Sequence, residues 1–413
     1  MAWPWRNPWH PGPSRASIPA MPSDLSYVVL LFVLFVIPRF LQRYRLPAAI
    51  TSLLLGIGAA EFGLFDHDAT LALLSTLGIT TLFLFAGLEV DLDDLRPDAR
   101  VLVQHLAIWL ITLVATTTAG ILIFNLSWRP ATLLALAIVT PSTGFILDSL
   151  DRFGLSDAEK RWTKAKAITS ELVALGLMFI ALRSGSIQEL GLSLLALVLL
   201  IVLLPPLFRW FAAAISPYAP RSEFAFLIMV ALISSSITRH LGVYYLVGAF
   251  VAGLAARQFR DRLPAMSSER MLGAVEAFAS VFIPFYFFKA GQQIRLADLG
   301  GLAIAAGLVI SLVFISLRLG EVALHRWIVL KEPPEKGAKV GIALLPTLVF
   351  SLVCAQLLVD NFIVPGYLVG GVVIYTILNT IFPGFVLKVP PPNFETPHLD
   401  PPPPTDVVTG SPP

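Results

Sequence analysis

The sequence predicts an all-α polytopic membrane protein. Of its 413 residues, 56% are hydrophobic and 14% are charged, whereas a soluble domain carries about 25% charged residues. Apolar runs of roughly 20 residues, the length that crosses a bilayer as a helix, recur along the chain. The single cysteine, Cys354, lies inside one of these runs, so an internal disulfide framework is excluded.

Charged residues and Pro/Gly-rich breaks separate about 13 predicted transmembrane helices. The sixth contains Glu171, and the seventh ends near Pro205 and Pro206. The others are predicted at Leu25–Phe40, Pro47–Phe65, Leu71–Val90, Val101–Leu126, Pro130–Leu150, Phe224–Ile237, Tyr244–Ala256, Ala274–Gly291, Leu302–Arg326, Val340–Leu358 and Ile363–Phe385. We therefore expect an N-terminal tail at 1–23, a transmembrane domain at 24–388 and a Pro-rich, disordered tail at 389–413.

Lysine and arginine concentrate in the odd-numbered connections between the predicted helices. Arg43 and Arg45 occupy the first connection, and Arg152, Lys160 and Arg161 occupy the fifth. Cytoplasmic loops carry such an excess of basic residues. The sequence therefore predicts a multi-pass protein of the inner (cytoplasmic) membrane with its N-terminus outside and its C-terminus in the cytoplasm, an arrangement that needs an odd number of spans.

Two predicted spans are interrupted. In the fifth, Pro141 removes a backbone donor, so the helix must kink or break. The freed carbonyls and the hydroxyls of Thr140, Ser142 and Thr143 would offer oxygen ligands to a cation. The twelfth is interrupted at Pro346 and Thr347, and we expect it to contribute helix dipoles. The alternative in both cases is a simple proline kink whose hydroxyls satisfy the backbone.

The two interruptions occupy corresponding places in the two halves of the chain. Residues 81–89 resemble residues 285–293, and an interrupted span follows two spans later in each half. The two matching segments would cross the membrane in opposite directions, which predicts an inverted repeat with a transport site near its midplane. The alternative is chance similarity between apolar runs.

Glu171 is the candidate site at the centre of the sixth span. A charge at this depth costs roughly 2.5–3.5 kcal/mol on insertion scales, so it tends to face a cavity or a partner. A carboxylate that holds either a proton or a cation is sufficient to couple their movements. The alternative is a Glu near the helix end that pairs with Lys164 or Lys166.

Residues 46–57, 82–91 and 246–253 resemble the monovalent cation:proton antiporter-2 family, the Kef/NapA-type branch of the cation/proton exchangers. The run Gly-Ala-Phe-Val-Ala-Gly at 248–253 is the most specific piece, and residues 284–287 and Gly291 also match. The resemblance extends over nearly the whole chain apart from its tails. It implies a core domain with two crossing broken helices, a dimerisation domain, a homodimer and an elevator-like movement.

The resemblance also implies roles for single residues. The family's ion-binding acid falls on Glu171, preceded by Ser170, where the family usually has Asp preceded by Asp, Asn or Gln. Arg318 matches a basic position that is usually Lys in this branch and Arg in its electroneutral relatives. The resemblance implies that such a base pairs with Glu171 or locks the crossing of the broken helices. Arginine is effectively never deprotonated, so it cannot carry a proton in the transport cycle as a lysine might. An arginine at this position therefore favours one-for-one, electroneutral exchange. The alternative is an Arg that reaches the membrane surface beside Glu321.

Lys289 stands where the family has a small residue. An intramembrane ammonium is a candidate proton carrier or counter-charge to Glu171. The alternative is a Lys that extends to the outer surface beside Gln292 and Gln293.

The leading hypothesis is a secondary active transporter that exchanges Na⁺ or K⁺ for H⁺. One alternative is a Kef-type potassium efflux channel, although such channels usually append a nucleotide-binding domain and no sizeable soluble domain follows the membrane part here. Another is an anion or organic-solute carrier that uses Lys289. No nucleophile–base pair or metal-ligand spacing stands out, so we expect no enzyme activity, no cofactor, no metal beyond the transported cation and no nucleic-acid partner.

Overall fold

A computed structural model describes residues 23–90, 99–219, 222–241, 245–258 and 269–387. Apart from Ser23, the predicted N-terminal tail and the Pro-rich tail lie outside the described residues. Within the described ranges the regular structure is helical, as the composition predicts. Fifteen α-helices occur in this part of the chain: α1 Ser23–Gln42, α2 Ala48–Glu61, α3 Ala69–Leu88, α4 Ala99–Phe124, α5 Trp128–Val139, α6 Thr143–Leu150, α7 Asp157–Arg183, α8 Ile187–Ala214, α9 Glu223–His240, α10 Tyr245–Gln258, α11 Glu269–Gln292, α12 Gly301–Val329, α13 Pro334–Ala343, α14 Leu348–Asn361 and α15 Gly366–Val386.

The helices support fewer certain spans than the sequence predicts. Among the described residues, 10 helices are long and apolar enough to cross a membrane, and 11 if α13 and α14, which bend by 52°, form one span. The helices α2 and α10 are apolar but have 14 residues each, which corresponds to about 21 Å of rise. Because that is shorter than a hydrocarbon core of about 30 Å, length does not establish the remaining two of the 13 predicted spans.

The start of α7, the helix that carries Glu171, is defined by a glycine that ends the preceding turn and by a capping box. Gly154 adopts φ +61°, a left-handed conformation that glycine reaches without strain. The Ser156 hydroxyl then accepts a hydrogen bond from the Glu159 N–H, and the Glu159 carboxylate accepts one from the Ser156 N–H, which forms a capping box. From this start α7 runs 27 residues, which places Glu171 near its midpoint.

Two helix crossings bring backbones into direct contact at glycines. In the crossing of α3 and α10, a Cβ atom on Gly87 would lie 2.3 Å from the Phe250 carbonyl oxygen, and one on Gly253 would lie 2.3 Å from that of Leu84. In the crossing of α2 and α11, a Cβ atom on Gly291 would lie 2.1 Å from the Leu53 carbonyl oxygen. Larger residues therefore cannot occupy these positions without separating the helices.

We expect Gly87→Ala to lower the free energy of unfolding by about 2 kcal/mol, because the added methyl must displace the α10 backbone. Gly176→Ala is the matched control, since no atom lies within 4 Å of a Cβ at that position of α7. The measurement is thermal unfolding of both purified variants in one detergent. Equal melting temperatures for Gly87→Ala and the control would contradict the assigned crossing.

The largest hydrophobic cluster surrounds the two interrupted spans. Its fully buried members include Ala135 and Ala137 of α5, Val349 and Phe350 of α14, and Tyr375 of α15. The interruptions therefore lie in the interior of the helix bundle, where each broken backbone group needs a protein partner.

Candidate functional site

The first interrupted span is broken at Thr140–Ser142. Thr140 and Ser142 are both extended, with φ/ψ of −84°/120° and −92°/101°. The cause is local, since Pro141 lacks an N–H and also disfavours the helical conformation of the residue before it. As a result α5 ends at Val139 and α6 begins at Thr143, within the predicted interruption.

The carbonyl groups left open at the end of α5 are satisfied by side chains from three other helices. Trp109 of α4 donates its indole N–H to the Val139 carbonyl at 3.1 Å, and the Tyr375 hydroxyl of α15 donates to Ile138 at 2.8 Å. The Ser351 hydroxyl of α14 donates to the Ala137 carbonyl. These contacts fix the broken end in place.

The second interrupted span is broken between Ala343 and Leu348, and Arg318 of α12 occupies this break. Its guanidinium donates to the carbonyl of Leu344 at 2.6 Å and to that of Leu345 at 2.8 Å. A positive charge at a helix C-terminus complements the helix dipole, so Arg318 stabilises the end of α13. Arg318 lies at the helix crossing, whereas the predicted alternative partner, Glu321, accepts a hydrogen bond from Thr112.

The two breaks contact each other directly. The N–H of Ser142 donates to the carbonyl of Pro346 at 2.8 Å. On the other side of the second break, the Thr347 hydroxyl accepts a hydrogen bond from Asn379 at 2.9 Å, and its oxygen lies 2.6 Å from the Ser351 hydroxyl oxygen. The broken helices therefore cross at their unwound segments.

Glu171 lies against this crossing. Its carboxylate accepts a hydrogen bond of 2.7 Å from the backbone N–H of Thr143, the first residue of α6. The Glu171 residue is 4% exposed. The positive end of the α6 dipole and an N–H group that has no acceptor within the helix thus face a buried carboxylate. This arrangement stabilises negative charge.

Glu171 and Ser142 line a narrow recess with five neighbours: Leu82, Phe83, Ala86, Gly144 and Val349. The recess adjoins a cavity of about 230 Å³, because Leu82, Gly144 and Val349 line both. That cavity extends to Arg45 and Arg152, and we call this end of the bundle the Arg45 side. The cavity on the Arg45 side therefore ends beside the recess that contains Glu171.

Unpartnered hydroxyls accompany the carboxylate. The hydroxyl oxygens of Thr140 and Ser142 are buried and have no hydrogen-bond partner among the described residues. Ser170, which precedes Glu171, is 2% exposed. Oxygen ligands of this kind suit a hard monovalent cation or a water molecule that accompanies it.

Neither lysine predicted as an alternative partner of Glu171 contacts it among the described residues. Lys164 pairs with Glu89, and the Lys166 ammonium lies 5.9 Å from the centroid of the Trp162 ring. Positions 166 and 171 lie about 140° apart around a helix, so the two side chains leave α7 in different directions. Lys166 and Arg318 instead line a small cavity of about 10 Å³ beside Pro141.

Lys289 lies in a different part of the protein. Its ammonium donates to the Gln292 side chain at 3.3 Å, and it lines a cavity of about 780 Å³ that also contains Arg239, Arg295 and Asp360. We call this end of the bundle the Lys289 side. No ion pair joins Lys289 to Glu171 in the described part of the chain, so its role as a counter-charge stays a prediction.

The family model for the transmembrane part of sodium/hydrogen exchangers matches residues 29–390. The chain belongs to this family. Within it, the chain is 27% identical over 296 residues to the Na⁺/H⁺ antiporter NhaS5 of Synechocystis, covering 68% of this chain and 41% of that protein. It is 24% identical to the probable Na⁺/H⁺ antiporter 3 of Methanocaldococcus jannaschii, covering 80% of this chain and 87% of that protein. The narrower Kef/NapA-type branch stays a prediction.

A solved structure shows the same fold. The sodium proton antiporter MjNhaP1 of Methanocaldococcus jannaschii superposes with a TM-score of 0.67 at 16% identity, covering 88% of this chain and 97% of that one. The chain thus spans nearly the whole of this structural neighbour, but less than half of the Synechocystis relative. The all-helical antiporter fold that the sequence predicts is therefore established.

Sequence reasoning missed the side chains that hold the two breaks in place. Trp109, Tyr375 and Asn379 are not named by the sequence analysis. Each of them donates a hydrogen bond from another helix to a residue at one of the breaks. Their partners are 30, 237 and 32 residues away. A polar group in an otherwise apolar span was the available signal, and alone it does not identify a partner.

Proposed function

We propose that this chain exchanges a monovalent cation, Na⁺ or K⁺, for H⁺, and that Glu171 binds either ion in turn. The observation that carries the proposal is the buried Glu171 carboxylate at the start of α6, beside the crossing of two broken helices. A proton and a cation compete for the same carboxylate oxygens. Because one carboxylate cannot hold both, release of the first ion is coupled to binding of the second.

The residues around Glu171 have complementary roles in this proposal. The Thr143 N–H and the α6 dipole stabilise the ionised carboxylate that a cation requires. The hydroxyls of Ser142, Thr140, Thr143 and Ser170 are the candidate further ligands or ligands to an accompanying water. Pro141 and Pro346 interrupt their helices so that the crossing forms, and Arg318 neutralises the end of α13 without moving a proton.

Alternating access requires the recess to open to each side of the membrane in turn. The cavity that adjoins it reaches Arg45 and Arg152, so this conformation favours access from the Arg45 side. The distribution of basic residues favours a cytoplasmic position for that side, in the inner membrane, with the N-terminus outside and the C-terminus inside. A relative movement of the crossing and the surrounding helices would expose Glu171 to the Lys289 side.

The glycine crossings support an inverted repeat. Gly87 and Gly291 occupy equivalent positions in the segments 81–89 and 285–293. Their crossings have the same contact pattern, because Gly253 meets the carbonyl three residues before Gly87, and Gly56 meets the carbonyl three residues before Gly291. Counting α2 and α10 as short spans, and each broken pair as one span, the repeat would give 13 transmembrane helices, in a protein we expect to be a homodimer.

The names of the relatives guide the choice of ion. The Synechocystis protein is named a Na⁺/H⁺ antiporter, and a Bacillus cereus protein that is 22% identical over 276 residues is named a Na⁺/H⁺-K⁺ antiporter. Both cations therefore belong in the test.

The test is cation-driven proton movement in proteoliposomes that contain an internal pH dye. An external jump of Na⁺, K⁺ or Li⁺ is compared with an equal jump of choline and with protein-free liposomes. We expect the internal pH to rise with at least one of the three cations, since cation entry drives proton exit. A channel would carry the cation without this pH change, and no response to any of the three would refute the proposal.

A further inference from the structure

The largest cavity described above, on the Lys289 side, has no part in the proposed exchange site. Its volume of about 780 Å³ lies between the ends of α7, α9, α11 and α14 and the start of α15. None of the residues that line it also lines the Glu171 recess or the cavity on the Arg45 side. Whatever this cavity binds is therefore separate from the carboxylate that couples the ions.

The lining of this cavity carries more positive than negative charge. Its charged lining residues are four cations and two carboxylates: Arg183, Arg239, Lys289, Arg295, Asp298 and Asp360. Both carboxylates already have partners, because Asp298 lies 3.5 Å from Arg295 and Asp360 accepts a 2.8 Å hydrogen bond from Gln356. The remaining cations are thus incompletely neutralised by groups of the protein.

Three of the cations retain unused donors. The Nε atom of Arg183 is buried without a hydrogen-bond partner among the described residues, while its Nη1 atom lies 3.5 Å from the largely exposed Glu189. The Lys289 ammonium contacts a neutral amide, and the nearby Asp68 carboxylate already accepts hydrogen bonds from Tyr27 and from the Leu71 N–H. Arg239 has no carboxylate within ion-pair distance in the described part of the chain.

We propose that this cavity binds a small oxyanion of the phosphate type, held by Arg183, Lys289 and Arg239. Guanidinium groups match the geometry of phosphate oxygens, and a lysine ammonium adds a point charge. A buried guanidinium N–H without a partner is costly, and an anion oxygen would satisfy it. The same chemistry fits free inorganic phosphate and the phosphate of an anionic lipid headgroup.

The bound anion has a consequence for cation entry from this side. With the lining charges at four positive and two negative, a doubly charged anion brings the cavity close to neutrality. The electrostatic repulsion of an approaching cation then falls, although the anion never contacts Glu171. The inference is independent of which cation the protein exchanges.

The test is calorimetric titration of the full-length protein in detergent with inorganic phosphate, at constant ionic strength in chloride. We expect Lys289→Gln and Arg183→Gln each to weaken phosphate binding by about tenfold, the loss typical of one charge-assisted contact. Arg209→Gln is the matched control, because Arg209 is exposed on α8 and does not line the cavity. Monodisperse elution of each variant establishes that it is folded.

The proposal is overturned if phosphate does not bind to the wild type, or binds with one affinity to all four proteins. Nanodiscs of phosphatidylcholine with and without phosphatidylglycerol then identify the source of the phosphate group. If a lipid headgroup occupies the cavity, phosphate binds the wild type more weakly in the phosphatidylglycerol discs, and Lys289→Gln shows no such difference between the two lipids. Equal binding in both lipids supports free phosphate. Cation-driven proton movement in phosphate-free chloride tests the exchange function separately, so the two proposals fail independently.

Discussion

Glu171→Gln abolishes cation-driven proton movement in proteoliposomes; this is the largest effect that we expect. The amide has nearly the shape of the carboxylate, and its oxygen still accepts the Thr143 N–H that now bonds Glu171 at 2.7 Å. The fold should therefore persist. The neutral amide neither takes up a proton nor balances the charge of a bound cation, so both steps of exchange are lost together.

The control for this substitution is Glu335→Gln. Glu335 lies in the first turn of α13 and is exposed, so its neutralisation should leave the rate of pH change unaltered. Both variants are reconstituted at equal protein density and compared under the same cation jump. Exchange at the wild-type rate in Glu171→Gln would remove this carboxylate from the mechanism while leaving the family assignment intact.

Glu171→Asp distinguishes charge from position. The shorter side chain keeps the negative charge but withdraws it from the Thr143 N–H by about one methylene. We expect exchange to continue with a higher apparent KM for the cation, because proton and cation still compete for one carboxylate. A variant as inactive as Glu171→Gln would show that the exact position of the carboxylate, as well as its charge, is required.

Arg318→Gln is expected to have the second largest effect. It removes both guanidinium hydrogen bonds to the Leu344 and Leu345 carbonyls, and with them the positive charge at the end of α13. Each hydrogen bond to a charged group contributes roughly 1.5–3 kcal/mol, so we expect the free energy of unfolding to fall by about 3 kcal/mol or more. The second break should also lose its fixed geometry, and exchange should fall with it.

Arg318→Lys separates the charge from the geometry of the guanidinium. One ammonium keeps the charge but does not reproduce the fork that reaches both carbonyls. We expect a melting temperature between those of the wild type and Arg318→Gln, and Arg209→Gln on the exposed face of α8 should match the wild type. If Arg318→Gln unfolds at the wild-type temperature, the guanidinium does not stabilise the break.

The sequence identifies the breaks because their cause is local. Pro141 and Pro346 each remove a backbone donor, which favours a break. Proline alone does not decide it, because Pro284 lies inside α11. The prediction that the seventh span ends near Pro205 and Pro206 was likewise wrong, since both lie inside α8, which continues to Ala214. Glu171 is equally visible, since a carboxylate in an apolar span has few structural explanations. The position of Arg318 at the second break is less visible, because the carbonyls it contacts are 26 and 27 residues away.

Helix lengths and distant contacts were harder to predict. The second span was predicted to continue to Phe65, but α2 ends at Glu61, and Gly63, Phe65 and His67 all have positive φ values. Apolar composition does not distinguish such a loop from a helix end. The pairing of Trp109 with Val139 depends on how α4 packs against α5, which no local pattern encodes.

The glycine crossings bear on how the protein is made. The helix α3 packs on α10, and α2 packs on α11, so each half of the chain supplies helices whose partners are in the other half. During synthesis, α2 and α3 enter the membrane long before their partners have left the ribosome. Their glycine faces must stay available to lipid or to insertion factors in that interval, since contacts between distant segments form late. A nascent chain halted before α10 would therefore hold an incompletely packed first half, which makes completion of the second half a condition for folding the first.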